Sequence, residues 1–283
     1  MLDAAGRELW RADEAPSTVT DLAWLRDGRR LAVAAYNGVR CHERHQPGPV
    51  ADYGYPGSHL AVAASPEGRW ICTGNQDASI HIWRARDAAE LTMSGYPGKV
   101  SRLAFDDTGR WLASDGSPEV TVWDFAGKGP KGRAPRMLAA HDTVTALAWR
   151  PGNGATLATA GAEGTVALWD ATAGRPGRPR TTTTAGWSLE DDIAAITWNG
   201  SGTLLAATRG GTVRALDPPA TDPPAGRAGL RLPAGGAHAA DAGIFTTDPG
   251  TGQPPRRVPR SPAGSSAAMP CFEAPQASSS RMA

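Results

Sequence analysis

Phenylalanine and tyrosine are scarce in this sequence, four of each among 283 residues, whereas tryptophan occurs ten times. Cysteine is equally rare. Cys41, Cys72 and Cys271 are odd in number, far apart and outside any C-x-x-C spacing, which argues against a disulfide framework or a thiolate zinc site and leaves free thiols. No run of about 18 apolar residues is present to span a bilayer. The opening MLDAAGRELWRADE has neither the basic n-region nor the apolar h-region of a signal peptide. A cytoplasmic protein without a membrane partner is the expectation. Excess charge is missing too: the formal net charge is +1, and no nucleic-acid partner is expected. With 40% hydrophobic residues the chain can build one large or two small globular units. Heavy use of Ala, Arg, Gly and Pro with few Lys suggests a GC-rich bacterial genome. Signatures of common enzyme classes are absent as well: there is no G-x-S-x-G, no H-E-x-x-H, and no G-x-x-x-x-G-K-[ST] following a strand.

What the sequence does contain is a repeat. VTDLAWLRDGRRLAVAAYNGVRCHE begins at Val19, HLAVAASPEGRWICTGNQDASIHIWRA at His59 and KVSRLAFDDTGRWLASDGSPEVTVWDF at Lys99. TVTALAWRPGNGATLATAGAEGTVALWD begins at Thr143 and DIAAITWNGSGTLLAATRGGTVRALD at Asp192. The turn glycines Gly28, Gly68, Gly109, Gly154 and Gly202 recur every 40 to 48 residues, the period of a four-stranded propeller blade. Each unit holds three short runs of alternating apolar residues, as in VTALAW, ATLATAG and TVALW, and that period of two is a strand signal. No helix of any length is expected between Val19 and Asp217.

These units resemble WD repeats, and residues 1–217 are similar to the stand-alone WD-repeat propellers of bacteria. The resemblance rests on the SPEGRW, DDTGRW and RDGRR turns and on the third-strand endings HIWRA, VTVWDF and VALWD. It implies an all-β propeller. Trp83, Trp123 and Trp169 then share one position at the end of the third strand, and Trp24, Trp149 and Trp198 another at the end of the first. Rings in both places would fill the gaps between blades, each burying about 150–250 Å². The family's hydrogen-bonded set of His, Ser/Thr, Asp and Trp is carried most fully by the fourth unit, in His141, Thr159 and Trp169 with Glu163 in the Asp position. In the second unit Thr73, Asp77 and Trp83 match, and Pro56 occupies the His position. The other units depart further: His42 replaces the Trp in the first, Ser117 the Asp in the third, and Gly210 and Leu216 the Asp and Trp in the fifth.

Two ends do not fit the repeat. ELWRADE matches HIWRARD, so Trp10 reads as the third-strand end of a partial N-terminal blade. About five full blades plus this fragment fall short of the roughly 280 residues that seven blades need, so the ring is expected to be incomplete, through a shortened N-terminus or through partner strands supplied from outside. Residues 218–283, dense in Pro, Gly, Ala and Ser, are expected to be disordered because they bury too little to offset ordering entropy. PPRRVPRSP within them could serve as a proline-rich basic ligand.

The sharpest chemical cluster is CHERH, where Cys41, His42 and His45 offer ligands suited to zinc or copper. The alternative is a packed Cys beside two solvated imidazoles. Paired acids such as Asp191 and Asp192, or Asp106 and Asp107, fall in turns that carboxylates commonly cap. WDATAGR faintly echoes the turn of quinone-dependent propeller dehydrogenases, in one unit only. The favoured function is therefore a protein-protein scaffold without catalysis or cofactor; a metal-handling protein and a propeller enzyme are the alternatives. In WD propellers the turns between first and second strands share a face with those after the third. That sorting gathers Lys128, Lys131, Arg133, Arg175, Arg178 and Arg180 on one basic face able to bind an acidic protein partner, with Asp77, Asp115, Glu163, Asp191 and Asp192 opposite.

Overall fold

The computed structural model describes residues 3–26, 28–116, 118–152, 155–219 and 245–247. Among them every regular element is a strand, as the alternating pattern predicts. β1 (Asp21–Trp24) runs antiparallel to β2 (Arg30–Glu43), with Leu22 opposite Val33 and Trp24 opposite Leu31. β2 bends at Asn37 and Gly38, whose φ angles are 68° and 144°. An Asn-Gly pair adopts such angles readily. The bend lets Val33 and Ala35 before it, and Arg40 and His42 after it, line one cleft of about 490 Å³. Gly38 lies opposite Gly54, so close to the partner strand that a Cβ would run into the Tyr53 carbonyl oxygen. Gly38→Ala should therefore cost about 1–3 kcal/mol of stability, read as a lower urea midpoint. An unchanged midpoint would mean that the bend tolerates a side chain.

β3 (Ala51–Ala64) serves two blades. Its first half pairs with β2, Cys41 opposite Ala51, and its second half with β4 (Trp70–Asn75), Val62 opposite Thr73. β5 (Ser79–Arg84) and β6 (Ala89–Ser94) complete the second blade. The third blade comprises β7 (Leu103–Phe105), β8 (Trp111–Ser114), β9 (Val120–Asp124) and β10 (Arg136–Leu138). β11 (Val144–Trp149), β12 (Thr156–Gly161) and β13 (Thr165–Asp170) open the fourth. β14 (Pro179–Arg180) then leaves that blade to pair in parallel with β10 of the third, and β15 (Ala185–Ser188) returns to β13. The fifth blade has three strands, β16 (Ile193–Trp198), β17 (Leu204–Thr208) and β18 (Val213–Leu216).

Inside the segment expected to be disordered, β19 (Phe245–Thr247) runs antiparallel to β6. The rest of 220–283, including PPRRVPRSP and Cys271, lies outside the described residues, as do Asp27, Ser117 and Gly154.

Apolar residues alternate along each strand, so every blade has two apolar faces, and four core clusters fill the spaces between successive blades. Trp83, Trp123 and Trp169, each at most 1% exposed, all join a core cluster with residues of the preceding blade: Trp83 with Ala32 and Val39, Trp123 with Ile80 and Ile82, and Trp169 with Trp111 and Val122. The first-strand indoles also reach backward. Trp149 donates its Nε1 hydrogen to the Ala104 carbonyl (2.9 Å), and Trp198 donates to that of Ala148 (3.1 Å). Trp24 departs from the expected burial: the residues before β1 supply no sheet for it to reach, and it is 54% exposed. The partial N-terminal blade read from ELW is not built. Residues 3–20 contribute no strand and instead lie along the first blade, where Asp13 donates its backbone N–H to Pro47 and Tyr36 donates its own to Ser17 Oγ.

Candidate functional site

Hydrogen-bonded hubs hold the blades in shape, and each uses different residues. In the fourth blade Trp169 donates to Thr159 Oγ1 (2.9 Å), Thr159 bonds His141 Nε2 (2.7 Å), and His141 Nδ1 bonds Glu163 (2.6 Å). With the proton on Nδ1, the imidazole donates to the carboxylate and accepts from the threonine, so every group is satisfied. Burial pushes the Glu163 carboxyl upward, but the hydrogen bonds from His141 and Thr165 outweigh it and bring it down to about 2. The set read from sequence is thus assembled, with Glu163 doing the work of Asp.

In the third blade the hub is Tyr96, which the sequence reading missed. Its hydroxyl receives Trp123 Nε1–H (2.8 Å) and bonds Thr121 (3.0 Å) and Ser114 (3.1 Å). In ungapped alignment Pro97 stands opposite His141, so the hub side chain comes from one residue earlier. The recurrence of GYPG at 54–57 and 95–98 was the available signal. The second blade corrects the reading of Pro56 in the same way: His59 bonds Thr73 Oγ1 (2.9 Å), and Tyr55 stacks on His81 with ring centroids 3.8 Å apart. Asp77 accepts from Ser79 Oγ (2.6 Å), and Trp83 keeps a buried Nε1 without a partner.

The CHERH residues are not brought together. Alternation along β2 puts Cys41 in the core, 1% exposed, and turns the neighbouring His42 toward the opposite face, beside the cleft. His45 lies beyond the strand at φ 69°. Burial, followed by the charge of Arg40, lowers the His42 pKa. Among the described residues no group of three or more His, Cys, Asp or Glu is placed to hold a metal ion.

The two basic loops, by contrast, are brought together although about 40 residues separate them in sequence. β14 lies along β10 with Met137 opposite Pro179 and Leu138 opposite Arg180. Gly177 donates its backbone N–H to Pro135 (2.7 Å), Ala139 to Arg180 (2.8 Å), and Arg136 Nε to the Thr172 carbonyl (2.9 Å). Positive φ at Gly127, Gly129, Gly132, Gly174 and Gly177 permits these tight paths. The six basic residues then divide. Arg133 pairs with Asp124 (2.9 Å) and donates to Ala126, and Arg180 donates to Asp170 and sits 5.4 Å from the Trp169 ring, so both brace the fold. Lys128, Lys131, Arg175 and Arg178 are exposed.

Neighbouring turns on this side touch, as when Gly152 N–H donates to Asp107 (2.7 Å), and Arg110 shares Asp124 with Arg133. Arg84 and Arg86 are likewise matched by Asp87. On the opposite side Asp115 accepts from Ser101 and Arg102, Asp191 accepts from Gly210, and Asp192 lies 3.7 Å from Arg209. Most of the charges sorted by sequence are therefore spent within their own face. What remains is a small cationic platform on the paired loops.

Residues 54–84 and 132–170 match the family model for the WD domain, G-beta repeat. Three curated relatives illustrate the likeness. The periodic tryptophan protein 2 homolog of Schizosaccharomyces pombe is 29% identical over 40% of this chain and 13% of its own length. Nuclear distribution protein PAC1 of Arthroderma benhamiae is 32% identical over 33% of this chain and 22% of its own. Small ribosomal subunit protein RACK1 of Schizosaccharomyces pombe is 27% identical over 44% of this chain and 41% of its own. The chain thus spans less than half the length of each. All three are eukaryotic, so they lend no support to the bacterial origin suggested by composition. The stretches of this all-β chain that are similar to the WD domain, G-beta repeat thus run from β3 to β5 and from β10 to β13, in register with the periodicity of the sequence.

Proposed function

We propose that this chain is a protein-interaction scaffold, without catalysis or cofactor of its own, that captures an acidic protein surface on the paired loops 126–135 and 171–178. The observation behind this reading is the convergence of those loops, which puts Lys128, Arg175 and Arg178 outward on a platform braced by Arg133 and Arg180. A rigid sheet that fixes exposed loops is suited to binding and places function in the loops. One of the similar proteins is by name a component of a ribosomal subunit, which agrees with work inside an assembly. The cytoplasm fits Cys41 and Cys72, which are buried and outside any disulfide.

Clustered cations raise encounter rates with an acidic partner, most strongly at low salt. The test is capture of partners from lysate by wild type and by Lys128→Glu/Arg175→Glu/Arg178→Glu, followed by association kinetics on the captured protein. The reversed variant should associate about tenfold more slowly at about 50 mM salt, and the difference should shrink as salt rises toward about 0.3 M. Equal rates at low salt would sink the platform as a binding site. Arg133 and Arg180 stay untouched, since reversing them would disturb the fold.

A further inference from the structure

Among the described residues two blade faces are uncovered, and they are complementary halves of the same joint. The intact joint between the fourth and fifth blades supplies the pattern. On its fourth-blade side lie Ala146, Ala148, Ala158, Ala160, Val166 and Leu168, linked across the sheet by Ala146 opposite Ala160, Ala160 opposite Val166, Ala148 opposite Ala158 and Ala158 opposite Leu168. On its fifth-blade side lie Ile196, Trp198, Leu204 and Ala206, with Ile196 opposite Ala206 and Trp198 opposite Leu204. The Trp198 indole closes the joint by donating to the Ala148 carbonyl (3.1 Å).

The far side of the fifth blade repeats the first half in the same register. Ala195 lies opposite Ala207 and Ala207 opposite Val213; Thr197 lies opposite Leu205 and Leu205 opposite Ala215. The uncovered side of the first blade repeats the second half: Leu22 opposite Val33, Trp24 opposite Leu31. Here the equivalent side chains are exposed, Leu22 by 53%, Trp24 by 54% and Val213 by 63%, among the most exposed large hydrophobics of the described residues. Contiguous apolar exposure of this kind marks an association surface.

We infer that the occupant of each face is the other face on a second copy of this chain: the fifth blade of one copy seats on the first blade of the next, with Trp24 Nε1–H donating to the partner copy's Thr197 carbonyl. Thr197 holds the place that Ala104 and Ala148 hold in the two joints already closed by an indole. Ala195, Ala207 and Ala215 keep that face low, whereas Thr197 and Leu205 stand where the intact joint has Ala148 and Ala158. A joint between unlike surfaces is head-to-tail, so the assembly grows until rotation closes it or a copy lacking one face ends it.

The test uses sedimentation velocity of the full chain with two surface variants, Trp24→Ser and Val213→Lys, each at a side chain more than half exposed. Unchanged circular dichroism and melting would confirm that both variants fold. Wild type should gain sedimentation coefficient with concentration, and each variant alone should associate at least about tenfold more weakly, since indoles at interface centres dominate affinity. An equimolar mixture should then form one-to-one dimers, because Trp24→Ser keeps an intact fifth-blade face and Val213→Lys an intact first-blade face. Three results overturn the proposal. They are a wild type that stays monomeric to about 100 µM, a mixture that remains monomeric while wild type associates, and an association abolished by Trp24→Ser but untouched by Val213→Lys, which would mean that like faces pair.

Discussion

Trp123→Ala should lower the unfolding free energy of the dilute monomer by about 3–5 kcal/mol, whereas Trp24→Ala should change it by less than about 0.5 kcal/mol. Both residues are strand-end indoles, Trp123 of the third blade and Trp24 of the first. Trp123 is fully buried in the core cluster it shares with Cys72, Ile80 and Ile82 of the preceding blade, and its Nε1–H donates to the Tyr96 hydroxyl. Removing it leaves a large cavity in a joint that spans two blades, and leaves Tyr96 with two partners instead of three. Trp24 has solvent on the side where Trp149 and Trp198 have a strand. Tyr96→Phe should cost about 1–3 kcal/mol by stranding the Trp123 donor in an apolar joint. Urea unfolding followed by circular dichroism measures all three. Equal losses for Trp123→Ala and Trp24→Ala would show that the indoles are not set apart by the joint they fill.

The second large effect is acid lability centred on the second blade. His81 is fully buried, stacked on Tyr55, with Glu90 at 3.1 Å and Thr92 at 2.9 Å. Burial, followed by the charge of His59, brings its pKa down to about 4, and burial lowers that of His59 in the same direction. An unfolded histidine titrates near 6.5. Between about 6.5 and 4 the unfolded chain therefore binds more protons than the native one, and stability falls as pH falls across that window. It is fully present above 6.5 and its loss is complete below about 4, up to about 3 kcal/mol from His81 at 1.36 kcal/mol per pKa unit. Glu163 adds a loss of the same sign from its ordinary value near 4.5 down to about 2, because its folded carboxyl is held low. Urea midpoints measured from pH 7.5 to 4 should decline, and His81→Gln should flatten the decline. Parallel slopes for wild type and variant would remove His81 as the cause.

Strand positions were legible because alternation and turn glycines are local properties. VTALAW, ATLATAG and TVALW become β11, β12 and β13 with little shift. Charge sorting was legible only in outline, since sequence shows which loops are basic but not that Asp124 takes up both Arg110 and Arg133. The hub residues Tyr96 and His59 escaped because a hydroxyl from one residue earlier, or an imidazole from within a strand, can reach the point that His141 fills. Such substitutions preserve geometry while breaking the motif. CHERH failed as a ligand set for the converse reason. Adjacency in sequence on a strand places neighbours on opposite faces, so Cys41 and His42 are driven apart by the alternation that makes β2 a strand.

The crossing of β14 onto β10 bears on how the array loses order. Blades stacked in chain order behave as a one-dimensional series in which each unit is held by its neighbours, and fraying proceeds inward from an end until it meets a strong coupling. The third and fourth blades share a core cluster and, in addition, a strand that belongs by sequence to one and by hydrogen bonding to the other. Opening the fourth blade must therefore tear the sheet of the third. Among the described residues the fifth blade has three strands and one covered face, so its opening stays local. The first and second blades are interlocked as well, through β3, so the chain divides into a fringe at the fifth blade and two pairs that each yield as one body, and the basic loops sit on the pair bound by β14.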